Sequence, residues 1–269
     1  MRRATFEVIR ALVREQSAIV LEDDKEYLVE SRLAPVLRSQ GISDLDALGE
    51  RLDKRDRELT ELVVDAMTTN ETSFFRDQKP FEVLCNQVLP DVIAENEDRR
   101  TLDIWSAACS TGQEPYSVAM LVADHFPELA EWEVRIFASD LSRAVLERAK
   151  RGEYRQVEVN RGLAAPQLMR HFTRNGIKWR LNDRIRSRVA FERLNLMDRW
   201  PTMPTFDVVM LRNVLIYFDV VDKDRVLRRI AKQLRPGGFL FLGGSESPPT
   251  PIDHWERVEV SRSGCYRRR

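Results

Sequence analysis

Five short apolar runs in the later part of the chain restrict the fold more than any other feature. They are "TLDIWSAA" (101–108), "EVRIFASD" (133–140), "VAFERLNL" (189–196), "FDVVMLRN" (206–213) and "GFLFLGG" (238–244). Each is of strand length and nearly continuous in apolar character, and helical patterns separate most of them. Strands buried on both faces and joined by crossover helices form a parallel sheet, so the sequence predicts an α/β domain. A last strand, about Trp255 to Tyr266, follows "PPTPID" (248–253) with little room for a helix, which predicts antiparallel pairing.

The rest of the chain reads differently. From Thr5 to about Met67, apolar residues (Phe6, Ile9, Val13, then Leu59, Leu62, Val63, Ala66) recur at three- and four-residue spacing, the mark of amphipathic helices. Gly41 stops one of them, and Ser43 or Asp44 caps the next. Residues 1–67 are therefore expected to be all-helical, 68–80 a linker, and 81–269 the α/β domain. Between about 153 and 188 the pattern is poorer, and an inserted small β-subdomain is expected there, with a helix near Ala165–Phe172 and a charged hairpin after it.

The 269 residues suffice for one large domain and one small one. Lysine plus arginine and aspartate plus glutamate each total 43, a balance that argues against wholesale binding to nucleic acid or anionic membrane. The opening "MRRATFEVIRALVREQSAIV" is broken by Glu7, Arg10, Arg14 and Glu15, so neither a signal peptide nor a membrane span is expected. Cys85, Cys109 and Cys265 are not spaced as metal ligands, and no metal site is expected. Reduced cysteines and a cytoplasmic location follow as expectations.

In an open parallel sheet, ligands bind outside the carboxyl ends of the strands. The residues closing each run are therefore the candidates. After the first comes "CSTGQEPYS" (109–117), whose small residues let a ligand approach the backbone; Glu114 opens the following helix. The lone Gly112 does not make a dinucleotide cradle, and by itself it serves equally well in a tight turn. Asp140 closes the second run. A carboxylate there suits a ribose diol, because it accepts from two hydroxyls, although Asp140 or Ser142 also serves as the cap of the next helix. Asn195, Arg212, Asn213 and Tyr217 gather at the same edge. The linker "TTNETSFFRD" (68–77) also carries binding-site residue types, with two aromatics, an arginine and several hydrogen-bonding side chains.

Together, "NETSFFRD", "IWSAACSTGQEPYSVAM", "ASDLS", "RNVLIYFD" and "LRPGGFLFLGGSES" resemble the CheR family of chemoreceptor glutamate O-methyltransferases, in the right order and over nearly the whole chain. The resemblance implies a Rossmann-like class I methyltransferase domain with an inserted β-subdomain, preceded by a helical domain. It implies S-adenosylmethionine as cofactor, S-adenosylhomocysteine as product, and a glutamate γ-methyl ester on the cytoplasmic helical bundle of a methyl-accepting chemoreceptor. Cofactor contacts carry over to Asn70, Thr72, Arg76, Glu114, Asp140, Asn195, Leu196, Arg212 and Asn213. The linker becomes a lid over the cofactor, with Phe74 and Phe75 as its apolar anchors.

A glutamate carboxylate is ionised at neutral pH and needs no general base, in keeping with three histidines that lie in no strand-end motif. Arg76, Arg212 and Tyr217 are the residues expected to orient it. The alternatives are a methyltransferase acting on another substrate and a non-catalytic module that binds S-adenosylmethionine. Some family members grip a receptor's C-terminal pentapeptide through a glycine-bearing loop in the β-subdomain. The corresponding stretch here is short, with Gly176 alone, which predicts pentapeptide independence. The segment 22–38 holds five acids and three bases, so receptor contact through it predicts weak salt dependence, with Arg32 and Arg38 as its exposed bases.

Overall fold

The computed structural model describes residues 1–54, 56–249, 254–258 and 264–269. Four helices come first: α1 (Arg3–Ser17), α2 (Glu26–Gln40), α3 (Leu45–Asp53) and α4 (Arg57–Met67). Phe6, Ile9 and Val13 of α1 meet Leu48 of α3 and Val63 of α4 in a cluster of their own, all fully buried. Local chemistry sets the ends. Gly41 takes the left-handed conformation that closes α2, while the Asp44 and Asp56 side chains accept the Ala47 and Leu59 N–H groups at 2.8 and 3.1 Å to cap α3 and α4.

The linker leads into α5 (Lys79–Val83), a π-helical turn (Leu84–Val88) and α6 (Leu89–Glu95), one continuous rod. The five apolar runs then become β1 (Thr101–Ala107), β2 (Glu133–Asp140), β6 (Val189–Arg193), β7 (Phe206–Leu211) and β8 (Leu234–Leu242). The principal crossovers are α7 (Gln113–His125), α8 (Arg143–Arg151) and α12 (Val220–Gln233). The seven-stranded sheet runs β6-β2-β1-β7-β8-β10-β9, parallel from β6 through β8. Where one final strand was expected, the chain instead forms two, β9 (Trp255–Arg257) and β10 (Cys265–Arg268). They pair antiparallel with each other, and β10 pairs antiparallel with β8. The intervening residues 259–263, and 250–253 of the preceding stretch, lie outside the described residues.

Two carboxylates in the sheet, Asp103 and Asp207, are buried and matched by arginines. Arg135 reaches Asp103 at 2.8 Å, and Arg235 reaches Asp207 at 2.7 Å. Pairing of this kind is what makes a charge tolerable in a core.

Between β2 and β6 lies the insertion. Its strands β3 (Glu153–Arg155), β4 (Phe172–Asn175) and β5 (Lys178–Leu181) form a separate antiparallel sheet in the order β3-β5-β4, with α9 (Gln156–Val159), α10 (Ala165–His171) and α11 (Asp183–Arg186) around it. A two-residue connection, Gly176–Ile177, joins β4 to β5. One face of this sheet packs on the linker: the Phe74 ring, fully buried, meets Tyr154 and Phe172 edge-on at centroid distances of 4.9 and 5.6 Å. Phe75 instead packs against Phe81 at 5.3 Å. Neither aromatic reaches the cavity described next.

Candidate active site

The strand order reverses between β1 and β7, and at that point, off the carboxyl ends of the strands, lies a cleft. Its wall includes Asn70, Thr72, Arg76, Glu114, Asp140, Asn195, Leu196, Arg212, Asn213 and Tyr217, so one cavity gathers every candidate residue. It also holds Ser17 and Ile19 from the end of α1, which ordered strand motifs alone do not reveal. None of the three histidines lines it; His171 is buried elsewhere, 2.9 Å from Asp124.

The floor is the loop after β1. Ala108 and Ser110 hold φ values of 56° and 50°, and Gly112 one of 91°, so every second residue of this loop is turned out of the usual strand course. Non-glycine residues in this region cost free energy that the surroundings must hold in place. Here the surroundings are specific. The Ser110 N–H donates to Asp140 Oδ2 at 2.8 Å, and its hydroxyl donates to the Asn70 carbonyl of the linker at 2.9 Å. A β-carbon on Gly112 would stand 2.9 Å from that of Ala149, which excludes larger residues.

Asp140 accepts a second backbone donor, the Ser142 N–H at 3.0 Å, through Oδ1. The helix cap itself is Ser142, whose Oγ accepts from the Val145 N–H. Asp140 is therefore free of capping and retains one acceptor site on each oxygen. Burial pushes its pKa up to about 6, against the pull of the two N–H donors and with Asp65 of α4 adding to the rise.

Arg212 follows β7 and is 5% exposed. It donates to Glu114 Oε2 at 3.0 Å, to Asp77 Oδ2 at 2.7 Å and to the Arg76 carbonyl at 2.9 Å, while Ser106 Oγ donates to the other Glu114 oxygen at 2.8 Å. One guanidinium thus ties the sheet to the second half of the linker. Its Nε is buried with no partner among the described residues. Asp77 is a member of this cluster that sequence reading missed; its place in "FFRD" gave no sign of an arginine more than a hundred residues away.

The remaining candidates are placed less uniformly. Asn195 spends its amide on the Gln16 carbonyl of α1 at 2.8 Å and its oxygen on the Met197 N–H at 3.0 Å, so it fastens the helical domain to the sheet edge. Asn70 donates to Thr68 Oγ1 at 3.0 Å. Arg76 is half-buried and donates to the Glu71 carbonyl at 2.9 Å. Tyr217 is half-buried at the rim, and its carbonyl accepts from the Val20 N–H at 3.1 Å. Asn213 has φ 59°, and its N–H donates to Glu246 Oε2 at 2.8 Å. Arg32, expected to be an exposed base, is half-buried and donates to the Met67 and Thr68 carbonyls and to Thr69 Oγ1, at 2.5, 3.2 and 2.8 Å.

A ligand suited to this wall has a cationic centre for the carboxylates of Glu71, Glu114 and Asp140, a vicinal diol, and a group that accepts from the orphaned Arg212 Nε. S-adenosylmethionine has all three. The sequence decides the family. Residues 70–264 match the model described as "CheR methyltransferase, SAM binding domain", and residues 4–68 match "CheR methyltransferase, all-alpha domain".

The chain belongs to the CheR methyltransferase family.

Its relatives include Chemotaxis protein methyltransferase 1 of Pseudomonas aeruginosa, 46% identical over 98% of this chain and 97% of the relative. A chemotaxis protein methyltransferase of Pseudomonas putida is 44% identical over 97% and 96%. That of Escherichia coli is 36% identical over 94% and 86%. As a CheR methyltransferase the protein uses S-adenosylmethionine, and the fold is that of a class I methyltransferase with a helical domain in front. Among the described residues no helix is long and apolar enough to cross a membrane.

Proposed function

We propose that this CheR methyltransferase esterifies glutamate side chains on the cytoplasmic helical bundle of a methyl-accepting chemoreceptor, for sensory adaptation. Bound S-adenosylmethionine supplies a methyl group on a sulfonium. Asp140 takes the ribose diol through its two remaining acceptor sites. Glu114, Asn70, Thr72, Asn195, Leu196 and Asn213 complete the cofactor wall, and Arg212 holds the linker down over it. In this reading residues 1–67 are the helical domain, 68–80 the lid, and 81–269 the methyltransferase domain with its insertion at about 153–188.

The observation that carries the acceptor assignment is what the wall lacks. Among the described residues it holds no histidine or lysine, and its carboxylates are already engaged: Glu114 by Arg212 and Ser106, Glu71 by Arg161, and Asp140 by two backbone N–H groups. An amine acceptor must lose a proton before it attacks, whereas a glutamate is already an anion at neutral pH. The chain's task is then alignment and exclusion of water. Both terminal nitrogens of Arg212 are engaged by Glu114 and the linker, so acceptor steering falls mainly to Arg76, with the Tyr217 hydroxyl fixing the carboxylate's direction. The two-residue β4–β5 connection supports recognition without a receptor C-terminal pentapeptide.

Labelled S-adenosylmethionine incubated with the protein and membrane receptors of its own cell tests this reading. The label should enter receptor and leave as methanol in mild alkali. Label that resists alkali places the methyl group on nitrogen or carbon and refutes the ester. Receptor shortened by its last five residues should be methylated as well as the intact form.

A further inference from the structure

Glu246 lies just beyond β8 in "GGSES", outside the cavity wall, and is 8% exposed. A carboxylate so buried has to be answered by donors, and three converge on it, all from the backbone. Oε2 accepts the Asn213 N–H at 2.8 Å and the Gly243 N–H at 2.7 Å; Oε1 accepts the Ile216 N–H at 3.2 Å. From this we infer that Glu246 is a positioning residue for methyl transfer, holding the loop after β7 in its working shape.

The loop from 212 to 218 carries Arg212, Asn213, Val214, Tyr217 and Phe218, all on the cavity wall. Its course depends on Asn213 at φ 59°, a conformation that a non-glycine residue keeps only when its neighbours impose it. Glu246 takes the N–H of that residue and of Ile216, three positions further on, so one side chain sets both ends of the turn before Tyr217. The Gly243 bond anchors the same carboxylate to the end of β8, next to β7 in the sheet. Space is equally tight: a β-carbon on Gly243 would lie 2.7 Å from both Glu246 Oε2 and Asn213 Nδ2. All three partners are donors. A carboxylate answers them, whereas a carboxamide must turn its NH₂ toward at least one N–H. The loop after β1 is held separately, by Asp140. Loss of Glu246 should therefore misplace the acceptor-facing Tyr217 more than it weakens the ribose contact.

The inference rests on methyl transfer at this cavity, and its test separates the two. Full-length Glu246→Gln and Glu246→Ala are compared with the unaltered protein at a temperature where circular dichroism shows all of them folded. S-adenosylhomocysteine affinity is read by calorimetry, turnover with receptor at saturating cofactor, and backbone amide exchange at 213, 216 and 243 by NMR. Glu246→Gln should lose roughly tenfold in kcat and no more than about threefold in affinity, with exchange faster at those amides. Should Glu246→Ala fail to fold, Glu246→Gln alone decides. Should the unaltered protein methylate no receptor, the acceptor reading falls, and affinity with amide exchange still judges Glu246. Unchanged kcat, affinity and exchange in folded Glu246→Gln would overturn the role. So would a variant that is only less heat-stable, with kinetics intact.

Discussion

Asp140 shows how a single side chain gets its chemistry from its neighbours. Burial raises its pKa to about 6, above the ordinary carboxylate value of 3.8. A carboxyl whose folded pKa is raised favours the folded state while it is protonated and loses that contribution as pH climbs through the folded value. The unliganded protein should therefore lose stability between about pH 4 and pH 6, and that part of the slope should vanish in Asp140→Asn, as read by denaturant titration. The sign reverses for the ligand. A diol and a cationic cofactor both favour the ionised form, so affinity should rise with pH through about 6, with a proton released on binding near pH 5. Calorimetry in two buffers of different ionisation enthalpy measures that proton. Tyr217, half-buried on the cavity wall, offers a contrast under the proposed role of acceptor contact. Tyr217→Phe should leave cofactor affinity unaltered while turnover falls about tenfold to a hundredfold, the worth of one hydrogen bond in the transition state. Full activity in that variant reduces Tyr217 to packing.

Among the elements, the linker is the one whose composition sets it apart. Phe74 sits in the insertion's core between Tyr154 and Phe172, the Phe75 N–H donates to Ser117 Oγ at 2.9 Å, and Arg212 grips the Arg76 carbonyl and Asp77. Phe74→Ala should cost about 3–5 kcal/mol by thermal or denaturant unfolding, as large-to-small changes in full cores do. It should also weaken cofactor binding, although Phe74 does not touch the cavity. Affinity unchanged in a folded Phe74→Ala would show the linker to be passive. Much of this architecture was legible beforehand. The parallel strands announced themselves by continuous apolar runs, the helical domain by its periodicity, and the candidate site by the polar residues that closed the strands. What stayed hidden depends on distant partners. Glu246 is not singled out, because nothing nearby in sequence marks three N–H donors arriving from the loop after β7 and the end of β8. Asn195 read as a strand-end ligand residue, yet its amide is occupied by a carbonyl of α1. β9 and β10 read as one strand, since the stretch after β9, "VEVSRS" (258–263), shows no turn-forming Gly, Pro or Asn before Gly264.

For the molecule as a whole, neutrality hides a strong division of charge. Residues 143–193 hold fourteen Lys and Arg against five Asp and Glu, an excess of nine, and the rest of the chain carries the opposite excess. On the small sheet Arg155 stands directly across from Lys178, a like-charge pairing that disfavours the strand association it decorates. Arg151 and Arg184 are exposed and make no ion pair among the described residues. The proposed acceptor, a glutamate-bearing receptor surface, would be drawn to such a face and repelled by the acid-rich segment 22–38. Methylation should therefore slow steeply between low and physiological salt, more than that segment alone implied. Arg151→Glu with Arg184→Glu should raise the KM for receptor and flatten the salt dependence, leaving cofactor affinity as it was. A shallow salt profile in the unaltered protein would remove the insertion from the encounter.

The anchoring of Phe74 bears on how a catalytic cycle ends. With the second half of the linker pinned to the insertion and to Arg212, the side of the cavity closed by Ser17 and Ile19 is the expected exit for spent cofactor. There the contacts are largely polar, among them Asn195 to Gln16, Tyr217 to Val20, Arg14 to Asp219 and Asp222, and Arg193 to Glu61, with Ala18 packed into the core on that side of the sheet. Were release of S-adenosylhomocysteine to require the helical domain to swing away, it would be slow beside the transfer itself. Rapid-quench measurements should show a burst of methyl ester close to one equivalent per enzyme, followed by a slower steady rate. Arg14→Ala, which loosens that side without touching the cavity wall, should speed the second phase and leave the first unchanged.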